Sequence, residues 1–181
     1  GDIMEKQSGI SMIILIIIVV IILIIASIGL NYANKLIEEK DLKDLRTDML
    51  LIQAEAKKGL EEFCFQSVNL DKNKEEDNVK IEEIKKANLE GIPVAEVDEQ
   101  IKNEISQLPE EIVIDENSYY LDEQTLKEMK IERLNTENYG HFIIKYDFEN
   151  VNIEVINTKG YEGKYTLTQL EEAYNKGEQS N

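Results

Sequence analysis

Residues Ile10 to Leu30 form a run of 21 without a single charge. An α-helix rises about 1.5 Å per residue, so a helix of that length reaches roughly 30 Å, the thickness of a bilayer's hydrocarbon core. The run is mostly Ile, Leu and Val, so a helix built from it is apolar on every face, whereas a helix in a soluble core needs only one apolar stripe. β-branched residues lower helix propensity in water, but lipid overrides that penalty because an open backbone there leaves amides unpaired. The reading is a transmembrane helix over 10–30. Two alternatives stand beside it: a buried core helix, and a cleavable secretory signal. A signal has a shorter apolar core, a basic leader and a small-x-small site. Here only Lys6 precedes the run, and Asn31–Lys35 offers no such site.

The 181 residues carry a formal charge of −17. Asp2, Glu5 and Lys6 sum to −1, which leaves −16 for residues 31–181. Such a surface repels phosphates, so nucleic acid is set aside as a partner. The single cysteine, Cys64, excludes an intramolecular disulfide, and the single histidine, His141, weakens any His-based catalytic or metal site. The sequence has no phosphate loop, dinucleotide fingerprint, HExxH, CxxC or GxSxG. Cys64 with His141 is a nucleophile–base pair only in principle. A structural thiol between Phe63 and Phe65, and a strand histidine beside Phe142, are the plainer readings. The clusters Glu61-Glu62, Glu75-Glu76-Asp77 and Glu110-Glu111 lack calcium-loop spacing. The expectation is a non-enzymatic chain with no catalytic residue, cofactor, metal or small-molecule substrate.

From Asn31 neither Gly nor Pro interrupts the chain until Gly59. Leu42, Leu45, Met49, Ile52 and Ala56 recur at spacings of 3, 4, 3 and 4, and Leu60 and Phe63 extend the stripe. This is the period of an amphipathic helix with one buried seam, packed on the rest of the chain or on a partner helix. Residues 31–65 are therefore read as a continuation of the apolar helix.

Residues 66–181 read as an α+β domain of short helices and an antiparallel sheet. Asp71–Asn78 is a polar loop and Val79–Leu89 a helix stopped at Gly91. A second helix lies between Pro93 and Pro109, with Ile101, Ile105 and Leu108 on one face. Glu111–Ile114 reads as a strand, and Asp122 caps a helix over Glu123–Met129. Gly140–Tyr146 and Val151–Ile156 form a hairpin. Gly160 and Gly163 mark a turn before a short strand, Lys164–Leu167. Thr168-x-x-Glu171 is a capping box opening the last helix. The tyrosines of the C-terminal half are assigned to sheet packing.

Lys6-Gln-Ser-Gly9 followed by Ile10-Ser-Met-Ile-Ile-Leu15, the apolar run and its amphipathic extension resembles the N-terminus of type IV pilins and pseudopilins. Tyr119–Met129, Thr158–Tyr161 and Tyr165–Leu170 look like pilin-like proteins of low-GC Gram-positive bacteria. The resemblance implies a short leader over 1–9, with Met4 as the natural start, cut between Gly9 and Ile10 by a prepilin peptidase. It implies a pilin-like fold, the long helix on a small C-terminal domain. One departure is Ile14, where the family places a glutamate that pairs with a neighbour's N-terminal amine. Its absence points to a minor or tip-like subunit, or to a pilin-like protein that never joins a filament.

Charge leaves the topology open: Lys35, Lys40, Lys43 and Arg46 follow the run, against Lys6 before it. The resemblance implies a cytoplasmic N-terminus and an extracellular domain in the cell membrane. The expected function is a membrane-anchored pilin-like subunit of a type IV filament or of a secretion or competence pseudopilus. Its partners are then the membrane, a prepilin peptidase and other pilin-like subunits. The alternative is a bitopic envelope or division scaffold acting through the helix at 36–63. A membrane-tethered enzyme or solute-binding domain is a third reading.

Overall fold

A computed structural model of the chain describes residues 2–131 and 139–179, with side chains placed for 12–24, 41–131 and 139–177. Helix α1 runs over Asp2–Ser67. The chain divides into two compact units, Gly1–Lys43 and Asp44–Asn181.

The first unit requires a correction. Among the described residues no helix is long and apolar enough to cross a membrane. This finding overturns the transmembrane helix over Ile10–Leu30. The single-pass localisation, with cytoplasmic N-terminus and extracellular domain, goes with it.

The second unit is α+β. Its part of α1 buries one stripe: Leu45, Met49, Ile52, Ala56, Leu60 and Phe63 are all buried, and four of them fully. Beyond α1 come α2 (Glu75–Asn88), β1 (Ile92–Pro93), a 3₁₀ turn (Val94–Glu96) and α3 (Glu99–Ser106). They are followed by β2 (Ser118–Leu121), α4 (Glu123–Glu128), β3 (Phe142–Asp147), β4 (Asn152–Tyr161), β5 (Lys164–Thr166) and α5 (Leu167–Gln179). The five strands form one antiparallel sheet in chain order. Short turns join β3 to β4 and β4 to β5, while the longer links from β1 to β2 and from β2 to β3 carry α3 and α4.

Both faces of the sheet are covered, which explains why Phe142, Ile143 and Ile144 of β3 are apolar in succession instead of alternating, while Lys145 is half-buried and Asp147 exposed at the strand's far end. One face carries Ile143 and its partner Ile156, packed with Ile105 of α3 and flanked by Ile101, Leu108, Ile112 and Ile114. The other carries Ile144 and Tyr146 opposite Val155 and Ile153, and it faces α1. There the Gln53 amide donates to the Ile153 carbonyl at 3.1 Å, and the rings of Phe63 and Phe148 meet edge-on at 5.1 Å.

Local chemistry places the element ends. Asp98 caps α3 by accepting from the Ile101 amide, and Asp122 caps α4 by accepting from the Thr125 amide at 2.8 Å. Helix α2 starts four residues before Val79, because Glu75, Glu76 and Asp77 favour the positive end of a helix. The strand expected over Glu111–Ile114 is not formed. Ile112 and Ile114 pack on the core cluster without joining the sheet, and pairing begins at Ser118. The capping box at α5 lies two residues upstream of the expected one. Thr166 Oγ1 accepts from the Gln169 amide, and Gln169 Oε1 accepts from the Thr166 amide. Thr168 instead donates its hydroxyl to Glu154 at 2.5 Å.

Gly59 stands in the middle of α1 for a packing reason. A Cβ built there would lie 2.0 Å from the Asn88 carbonyl oxygen at the end of α2. In an open helix Gly→Ala gains about 1 kcal/mol. Gly59→Ala is expected to destabilise the fold by about 1–3 kcal/mol through overpacking. Urea denaturation checks this; a stabilised variant would mean α2 is not held at this distance.

Candidate functional site

The residues read as a helix-packing seam do not all share one environment. Leu45, Met49, Ile52 and Ala56 are buried within the second unit, and Leu42, in the first, is half-buried. The residues Leu45, Met49, Ile52 and Ala56 are therefore core of their own unit.

Sequence spacing misses a clamp beside the seam. Arg46 Nη2 donates to Glu171 Oε2 at 3.1 Å, and its guanidinium carbon lies 4.2 Å from the centre of the Tyr174 ring. This fastens α5 to α1 across 125 positions of sequence, a separation that carries no local signal. The Arg46 Nε is buried without a hydrogen-bond partner, so the contact is made at some polar cost.

A chain of rings crosses the α1 side of the sheet. Phe148 stacks on Tyr146 at 5.9 Å, and Tyr146 meets Tyr119 edge-on at 5.1 Å. The Tyr146 hydroxyl donates to the Glu90 carbonyl and accepts from the Glu90 amide, at 3.0 and 2.8 Å. Burial pushes its phenol above the usual range. Burial also raises Tyr120, to about 12, with Asp122, Glu104 and Asp98 adding to the effect. Beside these rings opens a groove of about 820 Å³, between the end of α1, α2 and the β3–β4 hairpin.

Cys64 lines this groove and is half-buried, with its thiol raised by burial. It is less enclosed than a core thiol. His141 lies outside the groove and just before β3. Its Nδ1 pairs with Glu104 of α3, and its ring tilts against Tyr120 at 5.6 Å. The groove therefore joins Cys64 to no histidine base. Ser118 is fully buried and tied to Asp115; Ser67 lines the groove. Among the described residues no three His, Cys, Asp or Glu side chains stand together as metal ligands.

In the first unit every residue from Met12 to Ile24 is exposed, from 47% at Ile18 to 63% at Met12. Ile14, the position of the missing glutamate, is among them. Gly9 and Ile10 fall in the backbone of α1, and their side chains lie outside the described residues.

No family model, curated protein or solved structure matches the chain.

Glu90 yields a pH prediction. Burial, then the charges of Glu128 and Glu55, hold its carboxyl above the ordinary range. The folded chain therefore binds this proton more tightly than the unfolded chain, and the group penalises folding at neutral pH. The penalty fades as pH falls through the raised value and is gone below about 4, the unfolded carboxyl range. Glu90→Gln is expected to raise the melting temperature at pH 7 and leave it unchanged below pH of about 4. An equal shift at both pH values would contradict this origin.

Proposed function

We propose that this chain is a pilin-like structural subunit, of the minor-pilin or pseudopilin kind. Its isoleucine-rich helix packs against the helices of other subunits in a type IV filament or a secretion or competence pseudopilus. The observation that carries this reading is the unbroken apolar surface from Met12 to Ile24, exposed around the whole helix. Monomeric proteins rarely expose contiguous apolar patches beyond a few hundred Å². The second unit has already used its own seam internally, so the helix that remains apolar and uncovered is the one available for assembly.

The resemblance at Lys6–Leu15 supplies the rest of the reading. A prepilin peptidase cuts after Gly9, and Ile10 becomes the first residue of the mature chain. With Ile14 in place of a glutamate, no carboxylate pairs with a neighbour's new amine. Assembly then rests on apolar packing alone, which suits a subunit present in few copies.

N-terminal sequencing of the protein recovered from its producing cells checks the processing step. A mature chain beginning at Ile10 is expected, and a chain still carrying Lys6–Gly9 would contradict the proposal. Ile17→Glu is expected to abolish co-assembly while leaving the unfolding transition of the second unit within about 0.5 kcal/mol, as for a surface change.

A further inference from the structure

The groove beside Phe148 has the volume of a ligand site, about 820 Å³, within the usual range of roughly 300–1,000 Å³. Its charges are unequal once internal pairs are removed. Lys85 is engaged by Glu82 at 3.1 Å, and Lys145 by Asp115 at 2.9 Å. With those two lysines set aside, the remaining charged lining residues are Glu116, Asp147, Glu149 and Glu154 against Lys72. Glu154 is occupied by Thr168, and Asp147 accepts from the Asn150 amides of its own turn, which holds its carboxyl low and charged. The carboxylates of Glu116 and Glu149 are exposed and carry no ion pair among the described residues.

The groove also shows what sits well in it. The Lys85 ammonium lies 5.3 Å from the centre of the half-buried Phe148 ring. A cation over an aromatic face is attracted by the ring quadrupole, and more strongly where water is thinned. Arginine does this best among side chains, because its guanidinium is planar and weakly hydrated. Acid-lined walls complement the same charge and steer it in.

We propose that this groove binds a basic peptide segment of a partner protein, one arginine side chain settling at Phe148 between Glu116 and Glu149, with Lys85 as the internal occupant it displaces. The partner's cation takes the Phe148 ring, and Lys85 leaves the ring while keeping its ion pair with Glu82. This goes beyond the assembly role: it concerns the second unit's surface and survives if the helix of the first unit proves to have another use.

The test uses the full chain, captured on a sensor surface, and the peptide acetyl-Gly-Arg-Gly-Arg-Gly-amide. Its counterpart with citrulline in place of arginine keeps the shape and removes the charge. Saturable binding of the arginine peptide and none of the citrulline peptide is expected. Lys85→Gln should tighten binding by about three- to tenfold, the range of one cation–π contact. Lys58→Gln, the same charge change on α1 outside the groove, should leave it within twofold, or about 0.4 kcal/mol. Glu116→Gln with Glu149→Gln should weaken it, and Glu75→Gln with Glu76→Gln should not. Equal effects from groove and control variants would mean attraction to the acidic chain as a whole and would overturn the site. So would the absence of saturable binding.

Discussion

One stripe of one helix, Leu45 to Phe63, buried against one face of the sheet, organises the second unit. Each large apolar side chain moved out of water contributes about 1.5–3 kcal/mol, and Met49, Ile52 and Leu60 are fully enclosed. The sheet's shape follows from this. With α1 on one face and α3 on the other, the first half of β3 is enclosed on both sides, so Phe142, Ile143 and Ile144 are apolar in succession. The tight approach of α1 and α2 at Gly59, the Arg46–Glu171 clamp and the Tyr146 hydroxyl on Glu90 then fasten helices whose main positions are already set.

Much of this organisation is legible in the residues. The seam shows because burial on a helix repeats every three to four positions, and the burial of Leu45, Met49, Ile52 and Ala56 matches that period. Asp122 as a cap shows because its chemistry is local. What is not legible is long-range. No spacing announces that Arg46 meets Glu171, or that His141 meets Glu104. The strand misread at Glu111–Ile114 fails for a related reason. A short apolar run states that a segment needs cover, and Ile112 and Ile114 find it on the core cluster without strand partners.

The apolar run is the same lesson on a larger scale. Hydropathy states that Met12–Ile24 must be covered and is silent on the cover; no helix among the described residues is long and apolar enough to cross a membrane. Helices of other subunits are the cover proposed here. The candidate groove was less legible still. Its lining comes from α1, α2, the residues before β2 and the β3–β4 hairpin, segments that no spacing in the sequence ties together. Two of those carboxylates, Glu116 and Glu149, gain meaning only from sharing one cavity with Phe148.

The account rests on a division of labour within α1, in which the stripe at Leu45–Phe63 is spent inside the chain and the surface at Met12–Ile24 is kept for other molecules. Hydrogen exchange read residue by residue along α1, over a range of protein concentrations, tests this most directly. Amides of residues 45–63 should exchange as slowly as β3 and independently of concentration. Those of residues 12–24 should exchange quickly in dilute protein and slow as subunits associate. Concentration-independent protection at 12–24, or rapid exchange at 45–63, would contradict it.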